Sequence, residues 1–215
     1  FASESANLVT GDTNGVADVL VRDRDTDEDG IFDEPGAVAT TRVSVTSSGI
    51  QANGGSSSPS ISSDGRYVAF SSGATNLVTG ATNTNGGVFV KDRQTGLVTL
   101  VSVDLNGAQA TAGASDLAIS ANGRYVAFIS DATNLVSGDT NGGYDVFVRD
   151  TCIGAPNSCS PTTTRASVST SNAQGSAPPP VGAQTTGFAL AISGDGRFVA
   201  FSSVLLGLVP EDTNN

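Results

Sequence analysis

The sequence contains no histidine, no tryptophan and no methionine, and only two cysteines. Without an imidazole there is no Ser-His-Asp or Cys-His device, because both need a base to take the nucleophile's proton. Paired carboxylates alone can hydrolyse glycosides, but no indole is present to stack a sugar ring, and the acids cluster in one loop and in turns. The glycine patterns that cradle nucleotide phosphates are missing as well. Basic residues are scarce: 10 against 21 acidic ones, for a net charge of −11. Such a surface repels nucleic-acid phosphates and anionic lipid and favours cations, so a nucleic-acid partner is not expected; acidity that merely keeps the chain soluble is the alternative. No run of about 20 apolar residues is present, so no membrane span is expected. Nor is there a long stretch of apolar residues at i, i+3, i+4 and i+7, which excludes extended amphipathic helices. Phe1 opens in mid-motif, with no initiator methionine and no signal peptide, so a processed chain or a piece of a longer one is expected.

What the chain has instead is repetition. SSDGRYVAFSS (62–72), SANGRYVAFIS (120–130) and SGDGRFVAFSS (193–203) are one motif, and FAS at 1–3 is its stump. Each is followed by a second motif: SANLVTGDTNG, ATNLVTGATNTNG, ATNLVSGDTNG and LLGLVPEDTNN. DVLVRDR, VFVKDR and DVFVRD come third, and TTRVSV, LVTLVSV and TTRASVS fourth. Gly65 and Gly123 lie 58 residues apart, Gly123 and Gly196 73 apart. Each motif alternates with period two: Tyr67, Ala69 and Ser71 fall on one face, Val68, Phe70 and Ser72 on the other, the mark of a β-strand. Asp64-Gly65 supplies the pair that joins two strands as a hairpin. Four strands per repeat are expected: A at 59–62, B at 66–72, C at 88–92 and D at 97–103. Repeats of four antiparallel strands arranged radially are the blades of an all-β β-propeller.

The quoted motifs, SPSIS-SDGRYVAFSS, DVFVRD and TTRVSV, resemble the TolB-type, WD40-like β-propeller repeats of secreted bacterial proteins, over nearly the whole chain. That resemblance implies a propeller that makes protein–protein contacts, or an accessory domain of a larger protein. The expected divisions are a partial blade with strands C and D over 1–57, full blades over 58–113 and 114–175, and a partial blade with strands A and B over 176–215. These add to about three blade-equivalents, whereas closed propellers use roughly 4–8. Open edges template association, so the expected partners are other copies of the chain or the remainder of a longer polypeptide. Val204, Leu205 and Leu206 replace the polar GAT and DAT of other copies, marking either a buried junction or a chance apolar loop. The insertion SAPPPVGAQTTG at 176–187 reads as stiff and extended, and the Ser/Thr-rich stretch 46–58 suits O-glycans by composition.

Two patterns point to a cation. In DTDEDGIFDE, Asp25, Asp27 and Asp29 alternate before Gly30, the opening of a calcium loop. The Ile31 carbonyl would be the seventh-position ligand and Asp33 the ninth, with Glu34 beside it. Position twelve is Gly36 rather than Glu, which argues for an isolated calcium loop of thrombospondin-repeat or FG-GAP type and against an EF-hand; a solvated acidic turn is the alternative. In GDTNGxxD, the set Asp12, Asn14 and Asp18 recurs as Asp139, Asn141 and Asp145. The second copy, Ala81-Thr82-Asn83, lacks the first Asp and carries Val88 in place of the later one, and the last copy keeps Asp212 and Asn214. Calcium or an Asx turn explains this spacing. Cys152 and Cys159 flank a Gly/Pro/Asn-rich loop. A local disulfide is expected, since nothing completes a metal half-site, and it implies an oxidising compartment. The sequence therefore leads to a secreted, extracellular or periplasmic, non-catalytic, calcium-stabilised propeller module for protein binding or self-assembly. The alternative is a propeller fragment of a larger secreted enzyme or adhesin, with a protein or glycan ligand.

Overall fold

A computed structural model describes residues 1–82, 86–176 and 189–210, and every regular element among them is a strand. In chain order these are β1 (Ala2–Ser3), β2 (Asp18–Asp23), β3 (Ala39–Arg42), β4 (Ser56–Ile61), β5 (Tyr67–Ser72), β6 (Gly87–Asp92), β7 (Val98–Leu100), β8 (Ala114–Ile119), β9 (Tyr125–Ser130), β10 (Asp145–Asp150), β11 (Thr162–Arg165), β12 (Leu190–Ile192) and β13 (Val199–Phe201). They form four antiparallel sheets, ordered β1-β2-β3, β4-β5-β6-β7, β8-β9-β10-β11 and β12-β13. Sequential strands pair as neighbours, so the array is built of meandering four-stranded blades with a three-stranded sheet at one end and a two-stranded sheet at the other. No sheet closes into a ring among the described residues. No helix there is long and apolar enough to cross a membrane. Most of the proline-bearing insertion (177–188), Asn83, Asp212 and Asn214 lie outside the described residues.

The period-two alternation feeds two separate cores. Tyr67 and Ala69 join Val88, Val126, Phe128, Leu135 and Phe147 between the two full blades. Val68 and Phe70 join Val19, Val43, Leu77 and Phe89 on the opposite side. All six residues of β5 are buried, because a blade has neighbours on both faces. Cross-strand ring pairs lock the middle of each full blade: Phe70 with Phe89 and Phe128 with Phe147, each pair 5.9 Å between centroids. Cross-strand aromatic contacts of this kind stabilise a strand pair beyond their buried area.

Strand bounds depart from the sequence reading in two places. Strand A begins at Ser56, not 59, because a bulge between Ser57 and Ser60 breaks the alternation. Ser58 has φ 50° there, and Pro59, which has no N–H to donate, sits in the irregularity. β8 carries the same bulge at Asp116, with φ 38°. Strand D is short, ending at Leu100, because Val103 N–H turns back to the Val101 carbonyl at 2.9 Å. Val45 and Val168 make the same three-residue turn onto Val43 and Ala166.

Blades stack through the turn glycines. Gly123 (φ 74°) lies under the ring of Tyr67, so close that a Cβ there would fall 2.3 Å from the ring. Gly196 (φ 76°) lies under Tyr125 in the same way, at 2.1 Å. Beside these seats, the Ser63 N–H donates to the Ala121 carbonyl at 3.0 Å, and the Ala121 N–H to the Gly194 carbonyl at 3.1 Å. Each blade thus repeats one ring-on-glycine contact and one backbone bond to the next. At the last blade Leu205 is buried against Gly175, while Val204 and Leu206 stay exposed; Ser176 and Leu206 exchange two backbone bonds there.

Candidate functional site

The GDTNG loops are each held by an arginine that lies outside the motif. Asp12 and Asp18 converge on Arg42 at the end of β3: Nη2 lies 3.3 Å from Asp12 Oδ1, and Nε lies 3.1 Å from Asp18 Oδ2. All three side chains are under a tenth exposed. Asn14 Nδ2 donates to both oxygens of Asp18 and to the Ala52 carbonyl, and Ser44 Oγ donates to Asp18 Oδ1 at 2.5 Å. Asn14 Oδ1 also accepts from the Val16 N–H, an Asx turn. The third blade repeats the set. Arg165 Nη1 lies 3.1 Å from Asp139 Oδ1 and 3.4 Å from Asp145 Oδ2. Asn141 donates to Asp145 and to the Gly175 carbonyl, Ser167 Oγ donates to Asp145, and Gln174 Oε1 accepts from Arg165. Burial pushes the Asp139 carboxyl above the ordinary aspartate range and the Asp145 charge adds to this, while Arg165 opposes it. In both blades a guanidinium thus lies between the two carboxylates.

The middle blade shows what replaces the cluster. Strand pairing places Gly87, not Val88, at the position of Asp18 and Asp145, since Ser72 pairs Gly87 as Ser3 pairs Asp18 and Ser130 pairs Asp145. Leu100 takes the position of Arg42 and Arg165, each opposite the central Leu or Phe of strand C. Ala81 takes the position of Asp12 and Asp139. All three charges are thus absent together, and Leu100 fills the space: a Cβ on Gly87 would lie 2.9 Å from its Cδ1. The sequence carries this signal in the fourth motif, where TTR appears only in repeats whose loop begins GD.

The acidic loop between β2 and β3 is different in kind. Carboxylate oxygens of Asp25, Asp27 and Asp29 all lie within 4.8 Å of one another. Asp25 accepts from the Asp29 and Gly30 N–H groups and Asp29 from the Ile31 N–H, which curls the chain around the three acids. Gly30 has φ 87°, a conformation that glycine adopts without strain. Asp33 is not drawn into this group. It accepts from Arg24 Nε and Nη2 at 2.9 and 2.6 Å, and these bonds hold its carboxyl below the usual range. Glu34 contributes its carbonyl to the Ala37 N–H. Ile31 and Phe32 are exposed, with the Arg24 guanidinium over the Phe32 ring at 5.1 Å.

A third feature repeats along one rim. Arg66 makes a two-pronged bond to Asp92 and lies over Tyr67 at 4.9 Å. Arg124 does the same with Asp150 and Tyr125. These bonds depress the carboxyls of Asp92 and Asp150. Arg197 lies over Phe198 at 4.7 Å and forms no ion pair among the described residues. Next to Asp150, Cys152 and Cys159 form a disulfide that closes the loop before β11, so neither sulfur is a free thiolate.

No protein-family model matches the chain, and no curated protein does. Among solved structures, the crystal structure of TolB from Acinetobacter baumannii is similar at 17% identity and a TM-score of 0.41, over 79% of this chain and 30% of that one. The chain thus spans under a third of that protein.

Proposed function

We propose that this chain is a non-catalytic propeller-type module, working outside the reducing cytoplasm, that acts by binding a macromolecule or copies of itself. The observation that supports this reading is the row of stacked antiparallel sheets, whose outer strands β3, β7 and β11 have no further strand paired beside them among the described residues and so present backbone edges to a partner. The sequence has no histidine and both cysteines are tied in one bond, so the side chains offer an association surface rather than an acid–base pair with a nucleophile. The disulfide suits an oxidising compartment. The net charge of −11 disfavours nucleic acid.

Calcium belongs to this reading at one place. Asp25, Asp27 and Asp29 bring three carboxylates together, which repel one another unless a hard cation sits among them. Asp12, Asn14 and Asp18, and Asp139, Asn141 and Asp145, are already served by Arg42 and Arg165. Calcium at the 25–29 turn would fix the β2–β3 connection. A thermal scan at millimolar calcium, against the same protein with chelator, should show Tm higher by about 2–6 °C with calcium. Equal Tm values remove calcium from the account. Light scattering tests the association reading: a particle heavier than 21.4 kDa supports self-assembly, and a lone 21.4 kDa particle leaves only a heterologous partner.

A further inference from the structure

The two sulfurs of the disulfide differ in what stands beside them. Between β6 and β7 the chain turns within residues 93–97, whereas between β10 and β11 it runs through 151–161, and the Cys152–Cys159 bond closes the extra length. Arg66 and Arg124 hold equivalent carboxylates in the same two-pronged way. Arg124 also meets a sulfur: its Nη2 donates to Asp150 Oδ2 at 2.7 Å and to Cys159 Sγ at 3.6 Å. Cys152 Sγ receives no such bond among the described residues; Cys152 is tied through its backbone, with its N–H donating to Asp150 Oδ1 at 2.8 Å. A carboxylate oxygen of Asp150 lies within 4.8 Å of both sulfurs, so it opposes negative charge on either and does not choose between them. Both cysteines are half-buried, and Gly154, Pro156, Asn157, Ser158 and Ser160 around them are exposed.

We propose that this disulfide is a directional exchange site for a small thiol, with Cys152 the sulfur attacked and Cys159 the sulfur released. An external thiolate attacks Cys152 Sγ in line with the S–S bond. A bond forms between the incoming sulfur and Cys152 Sγ, the Cys152–Cys159 bond breaks, and its electron pair leaves on Cys159 Sγ as a thiolate. One disulfide and one thiolate stand on each side of the step, so the incoming thiol is the only co-reactant. Exchange is faster when the departing sulfur forms the more stable thiolate, and a guanidinium stabilises a thiolate beside it. Arg124 therefore selects Cys159 as the leaving group.

The two halves of the loop are anchored differently. The Thr151 N–H and Oγ both donate to the Arg124 carbonyl, at 2.9 and 2.7 Å, and Ile153 packs against the core between the full blades, so Cys152 keeps its place on the blade with its new substituent. The segment beyond it is held by local turns, the Ala155 N–H to the Cys152 carbonyl and the Cys159 N–H to the Pro156 carbonyl. Cys152 is thus the point of attachment for a thiol-bearing molecule. Cys159, released, reverses the attachment by attacking the mixed disulfide.

Reduced glutathione is the probe. The folded protein is held with millimolar glutathione at about pH 8, where a thiol is partly ionised, then quenched with N-ethylmaleimide and digested with trypsin. Residues 150–165 form one tryptic peptide with both cysteines, and its fragmentation locates each group. Glutathione on Cys152 with maleimide on Cys159 should exceed the reverse arrangement by at least roughly fivefold. Arg124→Gln should bring the two arrangements near parity and slow the exchange by roughly the same factor. Arg66→Gln removes the equivalent ion pair from the middle blade, where no sulfur lies, and should leave rate and preference as in wild type, so loss of an ion pair is separated from loss of the sulfur contact. Circular dichroism checks that both variants are folded. Equal labelling of the two sulfurs in wild type, an excess of glutathione on Cys159, a preference that survives in Arg124→Gln, or no mixed disulfide on the folded protein overturns the proposal.

Discussion

The blades on either side of β4–β7 each bury a guanidinium between two aspartates, and β4–β7 has a buried alanine, a buried glycine and a half-buried leucine at the same three places. The hydroxyl just beyond strand D is kept in all three: Ser44, Ser102 and Ser167 accept from the N–H of Val19, Val88 and Val146. So is the glutamine that ties the loop, since Gln51, Gln109 and Gln174 accept from the N–H of Thr13, Thr82 and Thr140. These neutral hydrogen bonds at Thr13, Thr82 and Thr140 and at the start of strand C are thus common to all three blades, whereas the charged trio occurs in two. Buried ions are costly unless all of them are paired, which explains why the three change as a set.

The sharpest way to break this comparison is to remove one member. Arg165→Leu leaves Asp139 and Asp145 facing each other without a cation and should cost about 3–5 kcal/mol, the largest effect expected here. The triple change Asp139→Ala, Asp145→Gly, Arg165→Leu installs the middle blade's own filling. It should lie within about 2 kcal/mol of wild type, part of that being the glycine's backbone cost in a strand. Urea unfolding of both proteins decides the matter. A triple variant no more stable than the single one would mean that the ion cluster is required for the loop.

The repeat itself was plain in the sequence, because DGRYVAF and DVFVRD alternate cleanly and each half of the alternation faces a separate core. Strand A was harder to place, since the bulge at Ser57–Ser60 shifts the pattern by one residue. The disulfide followed from two cysteines across a turn-rich loop. The arginine partners of Asp12 and Asp139 were not read, for a physical reason. Arg42 lies 30 residues beyond Asp12, on a strand whose hydrophobic pattern says nothing about ion pairs. Only the joint loss of GD and TTR in one repeat reports the contact. Within the acidic loop the first three aspartates come together as their spacing suggests, but Asp33 is taken by Arg24, a neighbour that a search for ligand spacing ignores.

Turn glycines give a second, milder contrast between the middle of the array and its open end. Alanine at Gly123 must tolerate φ 74° and a Cβ 2.3 Å from Tyr67. Alanine at Gly65 meets a similar φ of 69°, but its nearest contact is Arg93 Nη1 at 3.6 Å. The backbone cost is common to both, at about 1 kcal/mol, so the difference isolates the ring seat. Gly123→Ala should be less stable than Gly65→Ala by about 1–3 kcal/mol, the usual cost of overpacking, measured where the chain is monomeric. Equal losses would mean that Tyr67 swings away freely and that the ring does not register one blade on the next.

Acid separates the two kinds of aspartate with opposite signs. Asp92 in the middle blade is depressed by the Arg66 hydrogen bonds, so its contribution is present above about pH 4, the ordinary aspartate value, and is lost as pH falls further toward its folded value. Asp139 in the third blade is raised, chiefly by burial. The native state therefore holds its proton more tightly than the unfolded chain does. Relative to Asp139→Asn, wild type should be least stable near neutral pH and should gain as pH falls through the raised value toward about 4. Relative to Asp92→Asn, wild type should hold its advantage over that range and lose it below. Urea midpoints of the three proteins between pH 3 and pH 7 measure both slopes. The effect is small at Asp139, because Asp145 and Gln174 still face Arg165 once Asp139 is neutral. Slopes of the same sign would mean that Asp139 behaves as an ordinary paired carboxylate, and that the charged filling costs the third blade nothing by which the middle blade's apolar one could be told apart.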